Sequence, residues 1–535
     1  MRTLIFSILF ALLALCAVTA LAFPIFWVPF GFVVILALMA TADAMQTKRA
    51  VLRNFPLIGR MRYLFEAIRP EINQYFVESN TDGVPFSREQ RSLVYQRAKG
   101  QLDTVPFGTQ QDVYADGYEW LAHSIQAFHL GIADAPRVLI GGPECTQPYD
   151  AALLNVSAMS FGSLSSNAVE ALNKGAKEGD FYHNTGEGAI SSYHRKHGGD
   201  LVWQIGTGYF GCRDGEGHFD PQAFVKGAAD PQVKMIEIKL SQGAKPGHGG
   251  ILPGSKVTPE IAEARGVPVG KDVLSPPGHS TFGTPRELCN WIAELRELAG
   301  GKPVGIKLCV GRPVELMGIA KAMRETGHIP DFISIDGGEG GTGAAPLEFS
   351  NSVGMPLREA IVLTHNILEG FDLRGSIRLI ASGKVVSAFD VVTRLALGAD
   401  LVCSARSMML ALGCIQARRC NSNDCPVGVA TQNPSLVAGL DVEDKARRVA
   451  TFQRYTVEGL MELLGAAALR SPSQLTPSHI LRRTPSGEVG SLADLHGRVE
   501  RGSLLFDPVP ESLRCDWEKS SADAFDPLPV APCAT

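Results

Sequence analysis

From Ala135 to about Gly465, short apolar runs alternate with stretches of helical periodicity, and few folds accommodate that alternation. The expected strands are Leu153–Ala158, Phe181–Asn184, Leu201–Gly206, Lys234–Leu240, Pro303–Cys309, Phe332–Asp336, Ile377–Ala381 and Asp400–Ser404. Helical patterns lie between most of them, clearest at Asn167–Lys177, Pro285–Leu298, Val314–Thr326 and Ala388–Leu397. Short apolar strands separated by helices imply a parallel sheet, and a count of eight favours a closed (β/α)8 TIM barrel. An open dinucleotide-binding sheet is the alternative. Gly206-Thr207-Gly208-Tyr209-Phe210-Gly211 matches its glycine string, but no acidic residue ends a following strand about twenty residues on. The string therefore reads as a turn above a barrel strand.

In such a barrel the chemistry sits just after the strands. The first strand ends in the small residues Ser157, Ala158, Met159 and Ser160, which let backbone amides approach a planar ligand. Lys307 stands inside an apolar strand, which is costly unless its ammonium meets an anion or a polar partner. The sixth strand runs into a glycine-rich loop containing Gly340 and Gly341. The seventh and eighth end at Gly383-Lys384 and Ser404-Ala405, the usual phosphate-binding position of these barrels. Singly, each glycine reads as a tight turn. Together they point to a phosphate-bearing cofactor.

After the eighth strand comes C-x5-C-x4-C-P, formed by Cys414, Cys420, Cys425 and Pro426. Structural zinc prefers C-x2–4-C pairs and four ligands, and no fourth Cys or His is near in sequence. Iron–sulfur clusters take thiolates from irregular loops of this kind, often with a Cys-Pro end. Three ligands suit a three-iron [3Fe-4S] cluster; unpaired buried thiols are the plain alternative. Flavin with such a cluster makes an electron-transfer pair.

The first 42 residues differ from the rest. No residue from Leu4 to Ala22 is charged, and after Phe23-Pro24 none is charged from Ile25 to Ala42. Each stretch is about long enough to cross a ~30 Å hydrocarbon core as a helix. Ala20-Leu21-Ala22 resembles a signal-peptide cleavage site, but a second apolar segment follows at once, which favours a transmembrane hairpin over a secretion signal. Arg2 before the pair and Lys48, Arg49, Arg53, Arg60 and Arg62 after it place both ends in the cytoplasm, so the expected site is the inner membrane with the catalytic domain facing the cytoplasm. Residues 43–134 form a connector, helical at Tyr63-Leu64-Phe65, Ile68, Ile72, Tyr75 and Phe76 and again from Ser87 to Ala98. The 535 residues carry 50 Lys+Arg against 55 Asp+Glu, a net charge of −5 with no long basic block, which argues against a nucleic-acid partner. Eleven cysteines dispersed through so long a chain exclude a small disulfide scaffold.

Ser157–Gly162, Asn184–Gly188, Lys239–Gly250, Gly340–Pro346 and Cys414–Thr431 together resemble the FMN-binding synthase domain of glutamate synthases. The resemblance covers roughly residues 135–470, with 471–535 as a C-terminal tail. It implies FMN and a [3Fe-4S] cluster as cofactors. It also carries Lys239, Gln242, Lys245 and Arg265 over to the positions that bind 2-oxoglutarate, beside Lys307 near the flavin. A dicarboxylate needs fixed cations at both ends, so these residue types are chemically apt.

The departures are specific. Ile190 stands where glutamine-dependent members have a glutamate, Ile251 where they have a glutamine, and His248 where they have an acid. No amidotransferase domain with an N-terminal cysteine precedes the barrel, so the resemblance is to a stand-alone, membrane-anchored member. The expected reaction is reductive amination of 2-oxoglutarate to L-glutamate, with ammonia or an amine as co-substrate and a ferredoxin or reductase as electron partner. The alternatives are a related flavin reaction on an N-substituted glutamate or other amino or oxo acid, and a membrane-bound electron-transfer subunit.

Overall fold

Val233–Lys239 and Val304–Leu308 are buried on both faces of a strand, as in a sheet covered on both sides. In the computed structural model, which describes residues 2–529, they lie in a closed parallel barrel. Its strands are β1 (Leu154–Val156), β2 (His183–Asn184), β3 (Leu201–Ile205), β4 (Val233–Lys239), β5 (Val304–Leu308), β6 (Phe332–Asp336), β7 (Arg378–Ser382) and β8 (Leu401–Ser404). Each pairs with its neighbour in sequence, and β8 closes on β1 with Val402 opposite Leu154 and Ser404 opposite Val156. All eight expected strands are present, displaced by a residue or two at their ends.

The barrel helices start where side chains can take up their first free amides. Ser165 caps Ser166–Glu178, the Thr284/Glu287 box caps Pro285–Leu298, and the Ser387/Asp390 box caps Ala388–Leu397. The long helix Val442–Ala466 packs on Ser166–Glu178. Contact there is so close that a Cβ on Gly175 would fall 2.6 Å from the Ala446 carbonyl oxygen. The Gly206–Gly211 string forms the turn above β3, with the Tyr209 amide bonded to the Gly206 carbonyl.

Two compact units divide the described chain after Arg88. In the first, helices Arg2–Ala22 and Trp27–Met45 form a hairpin joined by the 3-10 turn Pro24–Phe26. Ile5, Leu9, Val33 and Ala40 pack between them, while Phe10, Leu21 and Val28 face outward, exposed. Both are long and apolar enough to cross a membrane. Helix Ile58–Ile72 follows. A helix spans Arg88–Ala98, and after the barrel the chain continues in short strands and helices. Ile480–Arg483 pairs with Glu119–Leu121 and with Val489–Ser491, and the helix Glu511–Lys519 lies against Pro313–Thr326.

At the amino-terminal end of the barrel, the fully buried Asp331 accepts hydrogen bonds from the Gly142 amide (2.6 Å), the Val304 amide (2.7 Å) and Arg296 Nε (3.1 Å). Removing one partner of a buried ion pair leaves the other charge uncompensated. Asp331→Ala should therefore cost on the order of 3 kcal/mol in a denaturant titration, and an unchanged unfolding midpoint would show that this clasp is dispensable.

Candidate active site

Side chains at alternate positions of a strand share a face, so Glu237 and Lys239 of β4 both point into the barrel. Glu237, 2% exposed, accepts from Asn184 Nδ2 (2.8 Å), Gln204 Nε2 (2.6 Å) and Ser334 Oγ (2.6 Å). Three strands thus supply donors to one carboxylate. In parallel register Lys307 of β5 stands opposite Lys239 of β4, so two ammonium groups share one level of the barrel. Like charges there need separate counterions. Lys307 Nζ lies 3.5 Å from Asp336 at the end of β6, and Lys239 Nζ lies 2.8 Å from Glu187 in the loop after β2. Burial alone would depress the Lys307 pKa; Asp336 and Glu237 outweigh it and raise the pKa above the ordinary lysine value.

Glu187 is the centre of the carboxyl-terminal mouth. Burial pushes its pKa up, but Lys239, Arg265 and Lys245 together bring it below the ordinary carboxylate range. With Lys239, Gln242, Lys245 and Thr207 it lines a narrow recess. Lys245 is 3% exposed; burial lowers its pKa to about 8, Glu187 acting against that and Lys239 with it. Its ammonium has a single long contact, to the Ala344 carbonyl at 3.4 Å. Arg265 ends the helix Pro259–Arg265, and its Nη2 donates to the Phe161 carbonyl (2.9 Å) and Ser160 Oγ (3.3 Å). It therefore joins the cluster from behind, through the loop after β1, and burial lowers its pKa to about 10. Three cations face one carboxylate.

His279 steadies the floor. Its Nε2 lies 2.9 Å from the Lys239 carbonyl and must donate to it, so Nδ1 accepts from the Tyr209 hydroxyl at 3.2 Å. Burial lowers its pKa to about 4, which keeps that tautomer neutral.

The candidate cofactor loops occupy the adjacent part of the mouth, because β6, β7, β8 and β1 are consecutive around the barrel. Ser157 Oγ and Ser382 Oγ are 3.0 Å apart, and the Ser157 amide donates to the Ser404 carbonyl. Ser404 Oγ is turned away, donating to the Val385 carbonyl (2.9 Å). Ala158 and Ser160 are half-buried and Met159 is buried beside them. Lys384 adopts a left-handed backbone (φ 43°) directly after Gly383 (φ 154°), and Ala405 precedes the turn carrying Arg406. A Cβ on Gly341 would come within 3.0 Å of the Arg406 guanidinium, whose Nη2 donates to the Glu339 carbonyl. Gly340 packs on the Lys239–Lys245 loop, where the Gly243 amide donates to Asp336 Oδ2 (2.9 Å). Substrate-side and cofactor-side loops are therefore one packed surface.

Cys414, Cys420 and Cys425 lie on the loop after β8. Burial and mutual repulsion raise the Cys414 thiol to about 11 and also raise Cys420, on which Lys256 acts in the opposite sense. The Cys414 sulfur accepts from the Gln416 amide (3.4 Å), and Gln416, Arg418 and Asn423 all have positive φ. Lys256, 3% exposed, ties this loop to the substrate side by donating to the Cys420 carbonyl (2.7 Å) and the Ala430 carbonyl (3.0 Å). Among the described residues no three His, Cys, Asp or Glu side chains stand together as a metal-ligand set.

Glu187, Glu237, His279 and Lys256 were not among the expected site residues. The acidic residue in Asn184–Gly188 was the available signal for Glu187; the others sit in ordinary strand or loop contexts. His248 is half-buried, with its ring edge-on to Phe349.

Residues 132–470 match the conserved region in glutamate synthase. The chain is 36% identical over 503 residues to a glutamate synthase large subunit-like protein, YerD, of Bacillus subtilis, covering 86% of this chain and 95% of that one. It is 37% identical over 321 residues to the archaeal glutamate synthase (NADPH) of Methanocaldococcus jannaschii, spanning 60% of each chain. Among solved structures, the flavin-binding domain of baker's yeast flavocytochrome b2 overlays at TM-score 0.40 and 13% identity, covering 81% of this chain and 89% of that one. That overlay is too loose to add to what the strand order already establishes.

Because Glu187 is the group that holds the Lys245 pKa up, Glu187→Gln should move it further below about 8. Acylation of Lys245 followed by peptide mass spectrometry across pH should show the midpoint shift down; an unmoved midpoint would break the electrostatic link between the two.

Proposed function

The chain belongs to the glutamate synthase family, and from that premise we propose that it is a flavin-dependent oxidoreductase that reductively aminates 2-oxoglutarate to L-glutamate. One observation carries the reading: three buried cations, Lys239, Lys245 and Arg265, surround the single carboxylate of Glu187 at the barrel mouth. That surplus of positive charge is complementary to a dicarboxylate.

The donor set suits FMN. Gly341 lets the backbone pack against the half-buried Arg406 guanidinium, Lys307 brings a buried cation, and the loops after β7 and β8 are where such barrels hold a phosphate. FMN, when bound, supplies hydride at the α-carbon, and a [3Fe-4S] cluster on Cys414, Cys420 and Cys425 supplies electrons one at a time. The thiols fit the cluster by chemistry, being three soft ligands on one irregular loop. The stoichiometry is 2-oxoglutarate, ammonium, two electrons and two protons giving glutamate and water.

The chain's own groups act around that chemistry. Lys239 and Lys245 bind carboxylate oxygens of the oxo acid, Arg265 adds charge from behind, and the Gln242 amide orients the substrate. These contacts bring the α-carbon toward the ~3–3.5 Å near-attack range. As the substrate's carboxylates engage the lysines, Glu187 is released from Lys239 and accepts a hydrogen bond from the incoming amine, orienting it toward the carbonyl carbon. Lys307 stabilises negative charge on the reduced ring. The two apolar helices anchor the enzyme in the inner membrane with the barrel in the cytoplasm, where a ferredoxin or reductase delivers electrons.

A second reading replaces ammonia by a primary amine, giving an N-substituted glutamate. Ile190 and Ile251, aliphatic where glutamine-dependent relatives carry a glutamate and a glutamine, are what favours it. Anaerobic turnover with reduced ferredoxin, comparing ammonium with methylamine against 2-oxoglutarate, tests both; no product with either amine sinks both.

With its pKa lowered to about 8, Lys245 is mostly charged at pH 7 and mostly neutral at pH 9. Calorimetric affinity for 2-oxoglutarate should accordingly weaken up to about tenfold from pH 7 to 9, while Lys245→Met binds weakly and without that pH dependence. A native profile flat across this interval would remove Lys245 from the substrate site.

Cys420→Ser should lose iron while keeping flavin, because the phosphate loops are separate from the cysteine loop. Iron content equal to the native protein's would contradict the ligand assignment.

A further inference from the structure

Helix Ile58–Ile72 is amphipathic, and its apolar face has no partner within its own unit. Met61, Leu64, Phe65, Ile68 and Ile72 recur every three or four residues along one stripe, and Leu64 and Phe65 are 56% and 54% exposed. Arg62 and Arg69 border that stripe. Soluble surfaces rarely leave so continuous an apolar strip open.

The start of this helix is fastened to the end of the apolar hairpin. Asp43, 3% exposed near the end of Trp27–Met45, accepts from Arg60 Nε and Arg60 Nη2 at 2.8 Å each and from the Leu57 amide at 3.1 Å. Leu57 itself packs against the hairpin core. A two-pronged guanidinium–carboxylate pair fixes direction as well as distance. The first turn of the helix is thus held at the level where the hairpin ends, and about 22 Å of helix continues from it.

We propose that Ile58–Ile72 lies on the cytoplasmic face of an anionic phospholipid bilayer, its apolar stripe among the upper acyl chains and Arg62 and Arg69 on the headgroups. This inference rests on the reading of the hairpin as a membrane anchor. Continuity with that anchor supplies the location; Arg62 is paired with Glu66 at 2.9 Å, so the surplus positive charge that favours anionic lipid over a protein partner comes from Lys48, Arg49 and Arg53 just before the helix, together with Arg69. The helix then holds the chain flat against the membrane rather than merely tethering it.

The full chain in nanodiscs of phosphatidylcholine and phosphatidylglycerol, with the photo-crosslinker benzoyl-phenylalanine in place of Phe65 or Ile68, tests this directly. Lipid adducts are expected at both positions and not at Tyr63 on the opposite face, and their yield should fall several-fold in discs of phosphatidylcholine alone. Benzoyl-phenylalanine in place of Phe10 reports on the anchor independently. No lipid adduct at position 10 would overturn the anchor and this inference with it. Adducts at 10 with only protein cross-links at 65 and 68 would overturn this inference alone, identifying the enzyme unit or a second copy as the occupant. Equal yields in both lipid mixtures would overturn the preference for anionic lipid.

Discussion

Closure of β8 onto β1 is the constraint on which the rest of the enzyme unit depends. Val402 opposite Leu154, Cys403 opposite Asn155 and Ser404 opposite Val156 remove the last free sheet edge and fix the order of the loops around the mouth. That order gathers the loops after β6, β7, β8 and β1 on one side and those after β2, β3 and β4 on the other. It also sets Lys239 level with Lys307 on neighbouring strands. A one-residue slip would turn both lysines toward the helices, where no counterion waits.

Charge placement follows from that geometry. A buried ammonium is tolerated only with a counterion, and the two lysines obtain theirs from different loops, Glu187 after β2 and Asp336 at the tip of β6. Lys245 is treated differently. Its one backbone contact and its shared interest in Glu187 leave it incompletely compensated, which is why its pKa is low while that of Lys307 is high. An incompletely compensated cation thus stands beside a fully paired one. Lys256 extends the same logic outward, joining the substrate loop to the cysteine loop through two carbonyls.

Much of the fold was legible because its signals are local. The helices Pro285–Leu298 and Ala388–Leu397 were bounded correctly by their 3.6-residue period, and each barrel strand was placed to within a residue or two by its apolar run. Of the site, Lys239, Gln242 and Lys245 could be named from their motif, and they share the recess. Arg265 belongs to the cluster electrostatically but reaches it through Ser160 and Phe161, a route no spacing rule describes. The same holds after the barrel, where Ile480–Arg483 finds its partner strand in Glu119–Leu121, far back in the chain.

The sequence by itself determined the alternation of strands and helices, the apolar hairpin, and the residue types available for binding an oxo acid and a flavin. All of these depend on the order of neighbouring residues. Only the tertiary structure decided that Glu187 meets Lys239, that Glu237 gathers donors from three strands, that His279 supports the Lys239 carbonyl, and that Arg60 locks onto Asp43. Each of these joins residues on separate elements, and barrel closure and helix packing, not periodicity, bring them within hydrogen-bonding distance.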